Sequence, residues 1–174
     1  AYDHILFLIA LCGTFLLYDW KKALISVTAF TIGHSITLAL SVLNAILIPA
    51  KWIEFLIPIT ILITAGINIA RRRSKNKKLN LTFIMAISFG LIHGLGFSNY
   101  LKSLLGHKDG IITQLLAFNI GLEIGQIVIV FLILLISSII MRILRKQKRE
   151  WQLFLSSAVF GIALVMAIER FPGF

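Results

Sequence analysis

Acid is scarce in this chain. Seven Asp and Glu stand against seventeen Lys and Arg in 174 residues. Charged residues of either sign make up only 14%, where a soluble domain carries about 25%. With 59% of residues apolar or aromatic and a mean hydropathy of +0.96, the chain has too little polar surface to cover a water-facing globule. This excludes an ordinary soluble enzyme, a disordered protein and a nucleic-acid-binding domain, despite the net charge of +10. Cysteine is also nearly missing. Cys12 is alone in an apolar run, so no disulfide can form within the chain. Its simplest role is that of a small buried apolar residue. Apolar and polar residues do not alternate along the hydrophobic runs, so a transmembrane β-barrel is a poor fit. Repeats and low-complexity tracts are lacking, as are G-x-S-x-G, H-E-x-x-H and phosphate-loop motifs.

Long apolar runs, by contrast, are plentiful. A bilayer-crossing helix needs about 20 mainly apolar residues. Six runs qualify: about 2–20, 23–45, 52–70, 81–105, 111–141 and 151–169. The expectation is an all-α membrane protein, a compact bundle of six transmembrane helices forming one domain over residues 1–174. The local signals agree. Asn80 is a candidate cap for the fourth helix, and Gly110 precedes the fifth. Pro49 falls in the second connection, and Pro58 should bend the third span or sit in its first turns. Tyr18, Trp20, Trp52, Tyr100 and Trp151 lie near span ends, where an interfacial aromatic belt would put them.

The cations give an orientation. Lys21 and Lys22 lie in the first connection, and Arg71, Arg72, Arg73, Lys75, Lys77 and Lys78 in the third. Arg142, Arg145, Lys146, Lys148 and Arg149 lie in or beside the fifth. The other side holds only Lys51, Lys102, Lys108 and Arg170. The positive-inside rule then puts the odd-numbered connections in the cytoplasm and both termini outside. The basic runs are explained by topology and anionic lipid, with no nucleic acid as partner. An outer N-terminus at the start of a helix leads to the expectation that a signal peptide or a further segment precedes Ala1. The corresponding compartment is the inner, cytoplasmic membrane of a bacterium.

Ionisable groups inside a bilayer are costly and usually face the bundle interior. His34 lies in Thr31-Ile-Gly-His34-Ser35-Ile-Thr37 and His93 in Phe89-Gly90-Leu-Ile-His93-Gly94-Leu-Gly96-Phe97. Asn119, Glu123 and Gln126 are spaced i, i+4 and i+7, so they share one helix face. Asp3 and His4 open the first span. At a rise of about 1.5 Å per residue, His34, His93 and Glu123 each lie roughly 17–18 Å from the nearer end of their spans, close to the midplane of a core about 30 Å thick. Gly90/Gly94 and Gly121/Gly125 each form a G-x-x-x-G, whose simplest reading is tight helix packing.

Imidazoles with carboxylates are the usual ligands of Zn, Ni, Co or Fe(II). The candidate metal set is Asp3, His4, His34, His93 and Glu123, supported by Asn119, Gln126 and Thr31. A membrane histidine also serves simply as an interhelical hydrogen-bonder, and that reading stands beside the metal one. His107, next to Lys108 and Asp109, reads as a loop residue. Glu54 reads as an interfacial carboxylate, Asn68 as a helix–helix hydrogen-bonder, and Glu169 with Arg170 as a surface pair.

Together, Asp3-His4-Ile-Leu-Phe-Leu, Phe30-Thr31-Ile-Gly-His34-Ser35-Ile-Thr37-Leu, the His93 segment and Phe118-Asn119-Ile-Gly121-Leu-Glu123-Ile-Gly125-Gln126 resemble the HupE/UreJ family, in matching order over nearly the whole chain. The resemblance implies a small polytopic membrane protein of the kind associated with hydrogenase and urease operons, some of which are nickel or cobalt permeases. It implies that Asp3, His4, His34, His93 and Glu123 are functional. The permeases carry a further His upstream of the Asp-His pair. Their second signature has a His and a Glu where Phe89 and Gly96 stand here, so the chain looks like the second branch of the family. Metal binding therefore carries over better than nickel transport.

Four functions fit these residues. The first is a divalent-metal permease or metal-supply accessory protein with its site open to the outer side. The second is a membrane-embedded metallohydrolase in which Glu123 acts as general base. The third is a haem-binding protein using His34 and His93, and the fourth a structural accessory subunit. The expected partners are the lipid bilayer and a divalent transition metal ion; a second copy or an accessory protein stays open.

Overall fold

The computed structural model describes residues 2–13, 15–46, 48–70, 79–105, 111–145 and 147–173, with side chains at 79–81, 98–105, 111–112 and 144 excepted. Arg71, Arg72, Arg73, Lys75, Lys77, Lys78, His107, Lys108, Asp109, Gly110 and Lys146 lie outside the described residues, as do the side chains of Asn80, Tyr100 and Lys102. Within them the chain is all-helical. It forms α1 (Tyr2–Cys12), a 3₁₀ turn (Leu17–Asp19), α2 (Trp20–Val42), α3 (Ala50–Ala70), α4 (Leu79–Leu105), α5 (Ile111–Leu144) and α6 (Lys148–Glu169). Among the described residues, four stretches are long and apolar enough to cross a membrane: Leu17–Val42, Ala50–Ala70, Thr113–Ile143 and Lys148–Glu169. Their outward faces carry large apolar side chains such as Ile120, Phe131, Phe154 and Ile168, which suits contact with lipid.

The helices alternate in direction, as short connections demand. Residue numbers rise together along α2 and α4: Gly33 meets the Ile87 carbonyl, Gly90 that of Phe30 and Gly94 that of His34. They run opposite along α3 and α6, where Phe55 pairs with Phe171 and the Arg149 guanidinium donates to the Asn68 carbonyl. The same holds for α3 and α4, α2 and α5, and α1 and α6. The start of α1 and the end of α6 therefore share one end of the bundle, joined by an ion pair of 3.2 Å between Asp3 and Arg170. The sequence reading paired Arg170 with Glu169; closure of the bundle brings it to Asp3 instead.

At the opposite end Asp19 is buried. Its carboxylate accepts from Lys22 at 2.9 Å and from Lys148 at 2.8 Å, tying the start of α2 to the start of α6. Lys148 also donates to the Tyr18 hydroxyl at 3.1 Å. Charge-assisted bonds of this kind are the strong ones when water is partly excluded.

The first expected span, 2–20, is not one helix. α1 ends at Cys12 after 11 residues, about 17 Å of axis and roughly half of a bilayer core. The Gly13 amide still bonds the Ile9 carbonyl, and the Phe15 amide turns back to Cys12. The backbone is then extended at Leu16 before the 3₁₀ turn. Non-helical backbone at membrane depth is tolerated only where protein covers it. Here Phe15 is buried, and the Leu17 amide finds the Ser138 hydroxyl of α5 at 3.2 Å. An unbroken apolar run gives no warning of the break, because the partners that satisfy it come from α5.

The second half of α1 packs into the bundle. Phe7, Leu8, Ala10, Leu11 and Cys12 are all buried among the other helices. Asn68 of α3 donates to the Ala10 carbonyl at 2.7 Å, the interhelical role expected of it. α2 and α4 touch backbone to backbone through Gly33, Gly90 and Gly94, where a methyl group would collide with a facing carbonyl. That is the small-residue packing expected of Gly90/Gly94. Gly121 and Gly125 differ: nothing lies within 4 Å of where their Cβ atoms would be, so they do not serve packing among the described residues.

Candidate functional site

Three of the expected side chains meet in the interior. His4 comes from the first turn of α1, His34 from the middle of α2 and His93 from the middle of α4. The glycine seam sets their approach, because Gly94 sits on the His34 carbonyl and draws the two backbones together. The α1 half-helix then lowers His4 onto the pair. Its ring lies 5.4 Å from that of His34 and 5.2 Å from that of His93, centroid to centroid, at interplanar angles of 74° and 83°. His34 and His93 are both fully buried.

Aromatic rings wall the cluster. Phe7 and Phe30 stack at 4.8 Å. Phe30 stands 5.3 Å from His93 and 6.0 Å from His34, while Phe97 lies 6.5 Å from His4. Such a wall excludes water and offers no strong hydrogen-bonding group.

The polar accounting is unusual. Among the described residues, both ring nitrogens of His34, Nδ1 of His93 and Nε2 of His4 are buried with no hydrogen-bond partner. Each neutral imidazole carries one donor and one acceptor. Leaving such a group unsatisfied in the interior costs about 1–3 kcal/mol. Four orphaned nitrogens on three helices are more than a purely structural cluster should tolerate, and as borderline nitrogen donors they suit a divalent transition metal. As they stand, the rings meet at steep angles. Among the described residues, no three His, Cys, Asp or Glu side chains are arranged to hold a metal ion. Binding would require the imidazoles to turn.

The remaining expected residues lie elsewhere. Asp3 adjoins His4 but faces Arg170, with Oδ1 outside hydrogen-bond geometry although the charges are 3.2 Å apart. Glu123 accepts from the Thr28 hydroxyl at 3.2 Å, and Gln126 from the Thr31 hydroxyl at 2.8 Å. These two bonds form a second polar patch, between α2 and α5, with Thr31 one turn from His34 on α2. Asn119 Oδ1 is buried without a partner among the described residues.

Two residues near these sites escaped the sequence reading. Thr28 holds Glu123, and Thr60 of α3 places Oγ1 3.2 Å from His93 Nε2. A signal existed for each. Thr28 lies three residues before Thr31, and Thr60, Thr64 and Asn68 repeat at i, i+4 and i+8 on one face of α3.

A family model described as HupE / UreJ protein matches residues 1–170. Searches of curated proteins and of solved structures found no match.

Proposed function

The chain belongs to the HupE/UreJ family, and from that premise we propose that it is a membrane metal-supply protein, a permease or its accessory, whose cargo is a divalent transition metal ion of nickel or cobalt type. The ion is taken by His4, His34 and His93. The observation that carries the reading is the set of orphaned imidazole nitrogens on three different helices. Imidazole nitrogen suits Ni, Co, Zn and Fe(II) alike, so the ligand set alone does not choose among them; nickel or cobalt follows from the family. A cargo site must release as well as bind. Neutral donors that turn to reach the ion meet that need better than a rigid, preformed cage.

The uneven cations support an inner-membrane orientation with the Asp3–Arg170 end outside. The ion then arrives at the Asp3 carboxylate, which Arg170 holds beside His4. The same donors would suit a membrane-embedded metallohydrolase with Glu123 as general base. The bond from Thr28 to Glu123, on another face of α2, favours supply.

The test is uptake of labelled Ni²⁺ or Co²⁺ into proteoliposomes holding the purified protein. The expected result is saturable uptake that falls at least tenfold in His34→Ala and His93→Ala. Uptake equal in wild type and both variants would sink the assignment.

A further inference from the structure

Thr60 is buried on α3, and its single hydroxyl proton has two claimants. The Ile57 carbonyl lies 2.7 Å from Oγ1, and His93 Nε2 lies 3.2 Å away. The first distance is the usual one for O–H···O, and a carbonyl oxygen can only accept. The hydroxyl therefore donates to Ile57. What remains toward His93 is a lone pair, so Nε2 must be the donor and carry the ring proton. The other nitrogen, Nδ1, is then the basic one. It is buried and without any hydrogen-bond partner.

We propose that Thr60 is a positioning residue: by accepting from Nε2–H it fixes the tautomer of His93 and leaves Nδ1 as the atom offered to a cation. The role is that of a partner behind a metal-binding histidine, whose hydrogen bond at one nitrogen decides which other nitrogen binds. The ligand part rests on the supply reading above; the tautomer part does not. Nothing comparable holds His34, whose two nitrogens are both without partners. His93 is thus the ring whose tautomer a hydrogen bond sets, and His34 has no such bond to break as it turns toward the ion.

The experiment uses the full chain in detergent, with ¹⁵N-labelled histidine. The ring-nitrogen spectrum of the metal-free protein reports the tautomer, and a Co²⁺ titration followed by visible absorption reports affinity. Wild type and Thr60→Ser should show His93 with its proton on Nε2. Thr60→Val and Thr60→Ala should lose that preference, and Co²⁺ affinity should drop about 10–100-fold, the usual effect of removing such a partner. Thr60→Ser should restore it. A wild-type His93 protonated on Nδ1 overturns the proposal without any variant having to fold. So does a Thr60→Val protein with unchanged tautomer and affinity. A wild type that takes up no Co²⁺ overturns the supply reading alone, while its spectrum still decides whether Thr60 sets the ring.

Discussion

Replacing Gly94 with alanine adds one methyl group where α4 rests on the His34 carbonyl of α2. The obstacle is backbone, with the Thr37 hydroxyl beside it, so no flexible side-chain end can swing away. Gly90 meets the Phe30 carbonyl in the same manner one turn earlier. To admit the methyl, the two helices must part. A radial gap of about 0.5–1 Å forfeits a quarter to a half of each dispersion contact along the seam. Overpacking costs about 1–3 kcal/mol, and a site walled by backbone belongs at the upper end, about 3 kcal/mol. His34 and His93 ride on the separating helices, so cobalt affinity should fall together with stability. Gly121→Ala is the matched control. Its Cβ would meet nothing within 4 Å among the described residues, and alanine is favoured over glycine in a helix by up to about 1 kcal/mol. Unfolding in detergent by heat or by titrated denaturing surfactant gives the ranking. Gly94→Ala should be clearly destabilised, with Gly121→Ala equal to wild type or better. Equal stability of Gly94→Ala and wild type, or equal loss in both variants, would refute the seam.

Asn68→Leu should cost about 1 kcal/mol in the same assay, because the Ala10 carbonyl loses its side-chain donor at 2.7 Å. Asp19→Asn should cost about 1 kcal/mol, discounted because Lys22 and Lys148 are partly exposed, and the loss should shrink in high salt. A loss indifferent to salt would speak against the ion pairs. Gln126→Leu removes the nearer of two acceptors of Thr31, whose hydroxyl keeps the Val27 carbonyl at 3.1 Å, and should destabilise by no more than about 1 kcal/mol, while leaving cobalt affinity within about threefold of wild type, or about 0.7 kcal/mol. A large affinity loss would join the α2–α5 patch to the imidazole site.

The membrane class and the helices were legible because a scarcity of charge and the length of apolar runs are properties of the chain itself. The interhelical role of Asn68 was legible for a related reason: an amide within an apolar span must find a partner. The break after Cys12 was not, since it depends on Ser138 and the packed walls around Phe15. Gly90/Gly94 and Gly121/Gly125 share one spacing, yet among the described residues only the first pair packs. Spacing says which residues share a face, not what the face meets. Depth alone set His34, His93 and Glu123 side by side. Rotation about the helix axes decides the partners, and it turns Glu123 to Thr28. Thr60 was overlooked because a threonine in an apolar helix normally satisfies itself on its own backbone, as Thr64 does.

The central claim is that imidazoles from α1, α2 and α4 close on one ion. X-ray absorption at the nickel or cobalt edge of the loaded, purified protein counts those imidazoles directly. The account predicts one ion per chain with three imidazole ligands, and one fewer in each of His4→Ala, His34→Ala and His93→Ala that still binds. An ion held by oxygen ligands alone, or an imidazole count unchanged by all three substitutions, would contradict it.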